Sequence, residues 1–210
     1  MKKDMTIIYP EYEWLYINLT NRCPCSCTFC IRQGNNNEFE NVDTLWLERE
    51  PTAAEVIEAI NLESQKPEFK NYKEFVFCGY GEPTQALDVL LEVSDYLKKN
   101  FNLPVRINTN GLADLINNKP VVPLLKGRID VVSISLNTSD PALYEKTVRP
   151  SFKEKAYPAL IKFASEACKN LPRVIMTTVC TTITKEDEEE CRKLCQKIGA
   201  EYRIRRYIEV

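Results

Sequence analysis

Trp14-Leu15-Tyr16-Ile17-Asn18-Leu19-Thr20-Asn21-Arg22-Cys23-Pro24-Cys25-Ser26-Cys27-Thr28-Phe29-Cys30 reads as a strand that runs into a loop crowded with thiols. Leu15, Ile17 and Leu19 alternate with Tyr16, Asn18 and Thr20, the period-two pattern of a strand with one apolar and one polar face. The loop spaces Cys23, Cys27 and Cys30 as C-x₃-C-x₂-C, with an aromatic just before the last cysteine. Three thiolates on one short loop can hold three corners of a cubane iron–sulfur cluster, which normally takes four cysteine ligands. A fourth iron without a protein ligand is open to a small molecule, and that open corner turns an electron carrier into a catalyst.

Cys25 adds a fourth thiol to the same segment, so a Cys₄ zinc site is a second reading. Structural zinc sites usually staple two separated knuckles, whereas here one very short loop, stiffened by Pro24, would have to wrap the ion alone. Disulfides fit poorly. The nine cysteines are an odd number, and no apolar run able to serve as a secretory signal follows Met1-Lys2-Lys3-Asp4. Many thiols without an export signal point to a reducing cytoplasm.

The 210 residues suffice for one domain with a real core. A net charge of −2 and an isoelectric point near 5.5 give no general attraction to nucleic acid or anionic membrane. No apolar stretch approaches the length of a membrane span. The absence of histidine excludes His-based triads, H-E-x-x-H metalloprotease sites and H-x-E zinc deaminase sites, so proton transfers fall to carboxylates, Tyr, Lys, Cys or water.

Outward from the opening stretch, strand-length apolar runs alternate with helical patterns. Strands are expected at Trp14–Thr20, Lys73–Cys78, Val105–Thr109, Asp130–Asn137, Val174–Cys180 and Tyr202–Tyr207. Helices are expected at Thr52–Leu62, Thr84–Lys99, Val121–Leu125, Pro141–Val148, Lys153–Lys169 and Lys185–Ile198. The polar run Gly34–Glu40 reads as a mobile loop. Six βα repeats imply a parallel sheet, curled or closed. Val132, Ile134 and Leu136 oppose Val131, Ser133, Ser135 and Asn137; Val105 and Ile107 oppose Arg106, Asn108 and Asn110; Tyr202 and Ile204 oppose Arg203, Arg205 and Tyr207. Helices take the apolar face, which leaves a polar interior. A closed eight-stranded barrel fills its interior with branched apolar side chains, and buried Asn, Ser and Arg are costly unless a polar ligand or water satisfies them. The expectation is therefore an α/β fold, a partial (βα)₆ TIM-like barrel whose six parallel strands stay open and hold a polar molecule inside. A solvated sheet face or structural ion pairs would account for the same pattern.

The cysteine spacing resembles the signature of radical S-adenosylmethionine (radical SAM) enzymes. The wider string from Leu15 to Arg32 is most similar to their small TatD-associated subgroup. The resemblance implies that residues 1–210 form a single radical SAM core domain with a cluster loop at 21–40 and the same open six-stranded barrel. It implies a [4Fe–4S] cluster on Cys23, Cys27 and Cys30, with Cys25 a bystander. The open iron would chelate the methionine moiety of SAM, and an electron from the cluster would cleave SAM to a 5′-deoxyadenosyl radical. Flavodoxin or ferredoxin would donate the electron.

Further candidates sit at strand ends. Phe77-Cys78-Gly79-Tyr80-Gly81-Glu82-Pro83-Thr84 resembles the family's G-G-E motif, with Tyr80-Gly81-Glu82 in register and one glycine replaced. The resemblance implies that backbone at Gly79, Tyr80 and Gly81, assisted by Glu82, meets the SAM amino group; the bare pattern is also an ordinary turn into a helix. Asn108, Asn110, Ser133, Ser135 and Asn137 suit the ribose hydroxyls and carboxylate of SAM, or else cap the following helices. Thr177-Thr178-Val179-Cys180-Thr181 lacks the glycines the family often has there, leaving Val179 and, from the cysteine loop, Phe29 as adenine contacts. Inward Arg149, Arg203 and Arg205 are candidates for a substrate carboxylate or phosphate. No compact cysteine set in the C-terminal half suggests a second cluster. The expected protein is a cytoplasmic, oxygen-sensitive radical SAM enzyme that abstracts hydrogen from a small molecule or a partner protein. The alternative is a non-enzymatic iron–sulfur electron carrier or a zinc protein.

Overall fold

The computed structural model describes residues 3–33 and 44–207. The expected mobile loop at Gly34–Glu40, with the distal part of the 21–40 cluster loop, lies outside the described residues. Seven strands form one sheet in sequence order: β1 (Ile8–Glu11), β2 (Trp14–Ile17), β3 (Glu74–Phe77), β4 (Val105–Thr109), β5 (Val131–Ser135), β6 (Arg173–Val179) and β7 (Glu201–Arg205). From β2 to β7 every neighbouring pair is parallel, and these are the six strands read from the sequence. The seventh, β1, corrects that count. It pairs antiparallel with β2, setting Tyr9 opposite Tyr16 and Pro10 opposite Leu15. Proline has no N–H for a ladder and is confined to edges or strand starts, so Pro10 fits the sheet edge.

The helices are α1 (Ala53–Ser64), α2 (Leu87–Asn100), α3 (Ala113–Asn117), α4 (Val122–Leu125), α5 (Pro141–Val148), α6 (Ala156–Asn170) and α7 (Lys185–Ile198). Sequence signals explain their starts. Thr52 and Glu55 form a reciprocal capping box at α1, Asp140 caps α5 and Thr184 caps α7. The helices expected at Thr84 and Lys153 begin instead with short 3-10 turns, Pro83–Ala86 and Lys153–Lys155. None of the described helices is long and apolar enough to cross a membrane.

One core joins helices to sheet. Leu15, Ile17, Phe75, Phe77, Val105, Ile107, Val132, Ile134, Val174 and Met176 face the apolar sides of α1, α2 and α6. The opposite sheet face carries Arg106, Ser133 and Thr177, all buried, though outside that core. Arg203 on β7 lies within electrostatic reach of Tyr16 on β2 and Glu74 on β3, as in a parallel sheet curled into a partial barrel. At its floor, the amino-terminal end of the strands, Arg106 pairs with Glu74 at 3.0 Å and lies 5.0 Å from the centre of the Trp14 ring.

Candidate active site

The cysteine loop leaves β2 at the carboxyl ends of the strands and is tied down on both sides. Thr20 donates to Glu50, and the Arg22 guanidinium grips the same carboxylate and the Gln85 carbonyl. The Asn21 amide exchanges two hydrogen bonds with the backbone of Leu47. The loop then reaches the end of α5, whose last carbonyls have no partner within the helix. Ser26 N–H donates to Val148 O at 3.1 Å, Thr28 N–H to Thr147 O at 2.9 Å, and Ser151 N–H to Pro24 O at 2.8 Å. Cys25 forms a bridge with Pro150.

Cys23, Cys27 and Cys30 are half-buried, while Cys25 turns into the core. Burial pushes Cys27 up to about 12, and the neighbouring Cys30 and Cys23 add to that shift. Burial also raises Cys30. Cys23 is held below the ordinary thiol value by a hydrogen bond from the Cys25 thiol, which is itself raised by that bond and by burial. The Asn110 amide stands 3.7 Å from the Cys25 sulfur and 4.0 Å from that of Cys23. No group of three or more Cys, Asp or Glu among the described residues is gathered tightly enough to hold one metal ion. A cubane offers a separate iron to each thiolate, so its ligands stand apart by the width of a cluster. Three thiols lie within electrostatic reach of one another on a half-buried loop, and the fourth is packed into the core. This donor set fits the cluster better than a tetrahedral zinc.

The Tyr80-Gly81-Glu82 turn abuts the same loop. A Cβ on Gly81 would lie 2.1 Å from Thr20 O and 2.8 Å from Arg22 O, and one on Gly79 would lie 2.1 Å from Asn18 Oδ1. Glu82 N–H donates to Arg22 O at 2.8 Å. Close approach to the strand that carries the loop is thus one reason for both glycines. Tyr80, in place of the family's glycine, packs edge-on against Trp46 with ring centres 5.1 Å apart. Glu82 is buried, and its carboxylate accepts from Thr84 N–H, Thr84 Oγ1, Thr109 Oγ1 and Asn110 N–H. Burial raises its pKa, and these four donors work against the rise. Glu82 therefore knots the ends of β3 and β4, a role the sequence reading did not anticipate.

Around this knot, polar atoms face the interior without partners. Among the described residues, Oδ1 of Asn18, Asn108 and Asn137 and the hydroxyl of Tyr144 are buried without a hydrogen bond. They sit at the carboxyl ends of β2, β4 and β5 and on α5. Ser133 and Ser135 lie on the inward face of β5, with Val179 buried at the end of β6 and Phe29 half-buried in the loop. The capping alternative does not apply to Asn137, because Asp140 caps α5. Arg203 and Arg205 project from β7, are exposed, and make no ion pair among the described residues, whereas the buried Arg106 has one. Desolvation lowers the pKa of both. Arg205 feels Cys78 and Cys27, which puts its guanidinium between the barrel wall and the cysteine loop. Arg149 is not inward as expected. It is the left-handed C-cap of α5, exposed, with its guanidinium folded back on the Lys146 carbonyl. Tyr144 had no signal in the sequence, and Asn18 had only its place on the polar face.

A family model described as Radical SAM superfamily matches residues 17–198. A probable GTP 3′,8-cyclase of Methanocaldococcus jannaschii is 25% identical over 198 residues, covering 94% of this chain and 60% of the relative. A second, from Methanococcus maripaludis, is 24% identical and covers 91% of this chain and 58% of its own length. The chain thus spans about three fifths of the curated relatives it matches. Among solved structures, Streptococcus suis SuiB bound to S-adenosylmethionine superposes with a TM-score of 0.68 at 22% identity, covering 95% of this chain and 41% of SuiB.

Proposed function

The chain belongs to the radical SAM superfamily, and from that membership we propose that it is an enzyme that abstracts hydrogen from a small anionic substrate. One observation carries the reading: three thiols stand at the mouth of a partial barrel whose inward wall is polar and unpartnered. Cys23, Cys27 and Cys30 hold a [4Fe–4S] cluster, and SAM occupies the interior beside it. When bound, these two supply the 5′-deoxyadenosyl radical. The protein binds and orients. Asn108, Asn110, Ser133, Ser135 and Asn137 offer donors and acceptors to the ribose and methionine groups, and Phe29 and Val179 flank the adenine. Gly79 to Glu82 receive the amino group through backbone carbonyls, since the Glu82 carboxylate is committed to protein donors.

Arg203 and Arg205 hold a carboxylate or phosphate of the substrate. Two exposed guanidinium groups on one strand, with no ion pair among the described residues, suit a carboxylate or phosphate. The curated relatives are named for a reaction on GTP, whose phosphates belong to that class. The finer assignment to the TatD-associated subgroup rests on the Leu15–Arg32 string alone, and none of the relatives reported above carries that name. A flavodoxin or ferredoxin serves as reductant, in the reducing cytoplasm that nine cysteines favour.

The test is an EPR spectrum of anaerobically reconstituted, dithionite-reduced protein with and without SAM. A [4Fe–4S]⁺ signal that changes on adding SAM supports the reading. A cluster signal indifferent to SAM would make the protein an electron carrier, and the absence of any cluster would restore zinc.

A further inference from the structure

Tyr144 is 1% exposed, and its hydroxyl has no hydrogen-bond partner among the described residues. A buried hydroxyl left in this state is destabilising, so phenylalanine would serve better if packing were its whole purpose. Its setting is specific. Tyr144 lies on α5, one turn before the carbonyls of Thr147 and Val148 that receive the cysteine loop. Its ring packs edge-on against Tyr157, with centres 5.3 Å apart, which restrains the ring. The titratable groups within its electrostatic reach are, in order, Cys25, Cys27, Cys23 and Glu82, and Glu82 already has four donors. The unmet need on that side is for an acceptor, and the group the loop is built to hold consists largely of sulfur acceptors.

We propose that Tyr144 is a positioning residue for the cluster, its hydroxyl donating a hydrogen bond to a sulfur on the buried side of the [4Fe–4S] unit. This rests on the cluster reading of the preceding subsection. A hydrogen bond to a cluster sulfur stabilises the more negative, reduced form and so raises the reduction potential. Tyr144 then eases delivery of the first electron. It also accounts for an orphan hydroxyl in the chain without its cluster.

The experiment compares the reconstituted protein with its Tyr144→Phe variant by EPR-monitored redox titration, and by deuterium ENDOR of the reduced cluster after exchange into D₂O. The variant is expected to need a more reducing poise, with the ratio of reduced to oxidised cluster falling about tenfold at fixed potential, or about 59 mV for a one-electron couple. One exchangeable deuteron coupling should vanish with it. An unchanged potential together with an unchanged ENDOR spectrum would overturn the assignment while leaving the cluster reading intact. If the wild-type chain itself assembles no [4Fe–4S] cluster, the failure lies in the cluster reading, and this proposal falls with it. Should the variant assemble less cluster, the ENDOR coupling in the fraction that does assemble still decides: its persistence sinks the proposal, and its loss supports it.

Discussion

The floor and the mouth of the barrel interior are built from similar residues to opposite ends. At the floor, Arg106 is nearly fully buried, paired with Glu74 and laid over Trp14. At the mouth, Arg205 makes no ion pair among the described residues, and Asn18, Asn108, Asn137 and Tyr144 hold polar atoms without partners among them. A charge neutralised within the protein closes a structure. Charges and lone pairs left unmet define a place where something else is bound. Sequence alone leaves open structural ion pairs and a ligand site; an ion pair is present at the floor, where Arg106 Nε and Nη2 still lack a hydrogen bond, and none accounts for the mouth among the described residues.

The sharpest way to break the contrast is at the thiols. Cys27→Ala is expected to lose essentially all cluster, read as iron content and the visible absorbance band of the reconstituted protein. Cys25→Ala, whose sulfur is packed into the core rather than half-buried with the other three, should retain it. Equal loss in both variants would make Cys25 a ligand. At the floor, Glu74→Ala strands a buried guanidinium and should cost about 3–5 kcal/mol in urea unfolding, with SAM affinity in the surviving folded protein unchanged. At the seam between the mouth and the cysteine loop, Gly81→Ala pushes a methyl into Thr20 and Arg22 and should cost about 1–3 kcal/mol and slow cluster assembly. The smallest stability effect belongs to Arg205→Gln. It should stay within about 0.5 kcal/mol of wild type, because no ion pair is lost, while binding of the anionic ligand weakens. A large loss of stability there would mean that Arg205 is structural, as Arg106 is.

The alternation of side chains made the parallel strands and their inward faces legible, because apolar and polar residues alternate along β2, β4, β5 and β7; burial follows that alternation along β2 and β7, while β4 and β5 are buried on both faces. β1 was missed for a physical reason. It has four residues, one of them Pro10, and its partner is set by an antiparallel turn rather than by its own pattern. Glu82 was legible as important but not in its role. Thr109 and Asn110, which saturate it, lie on the next strand and meet it only after the fold forms. Arg149 was read as inward from its charge, yet its left-handed backbone at the end of α5 turns it outward. Tyr144 sits in an unremarkable helix sequence, and only the packing exposes its unpaired hydroxyl.

The hydrogen bonds from Ser26 and Thr28 to the end of α5 join residues more than a hundred positions apart. In terms of folding order, the cysteine loop is a high-contact-order element that cannot close until α5 has been made and docked. During synthesis at roughly 5–20 residues per second, the thiols therefore wait unprotected while most of the chain emerges. The loop's anchor is then made only once the chain has reached Ser151, and a chain that stalls before it leaves the thiols without that anchor.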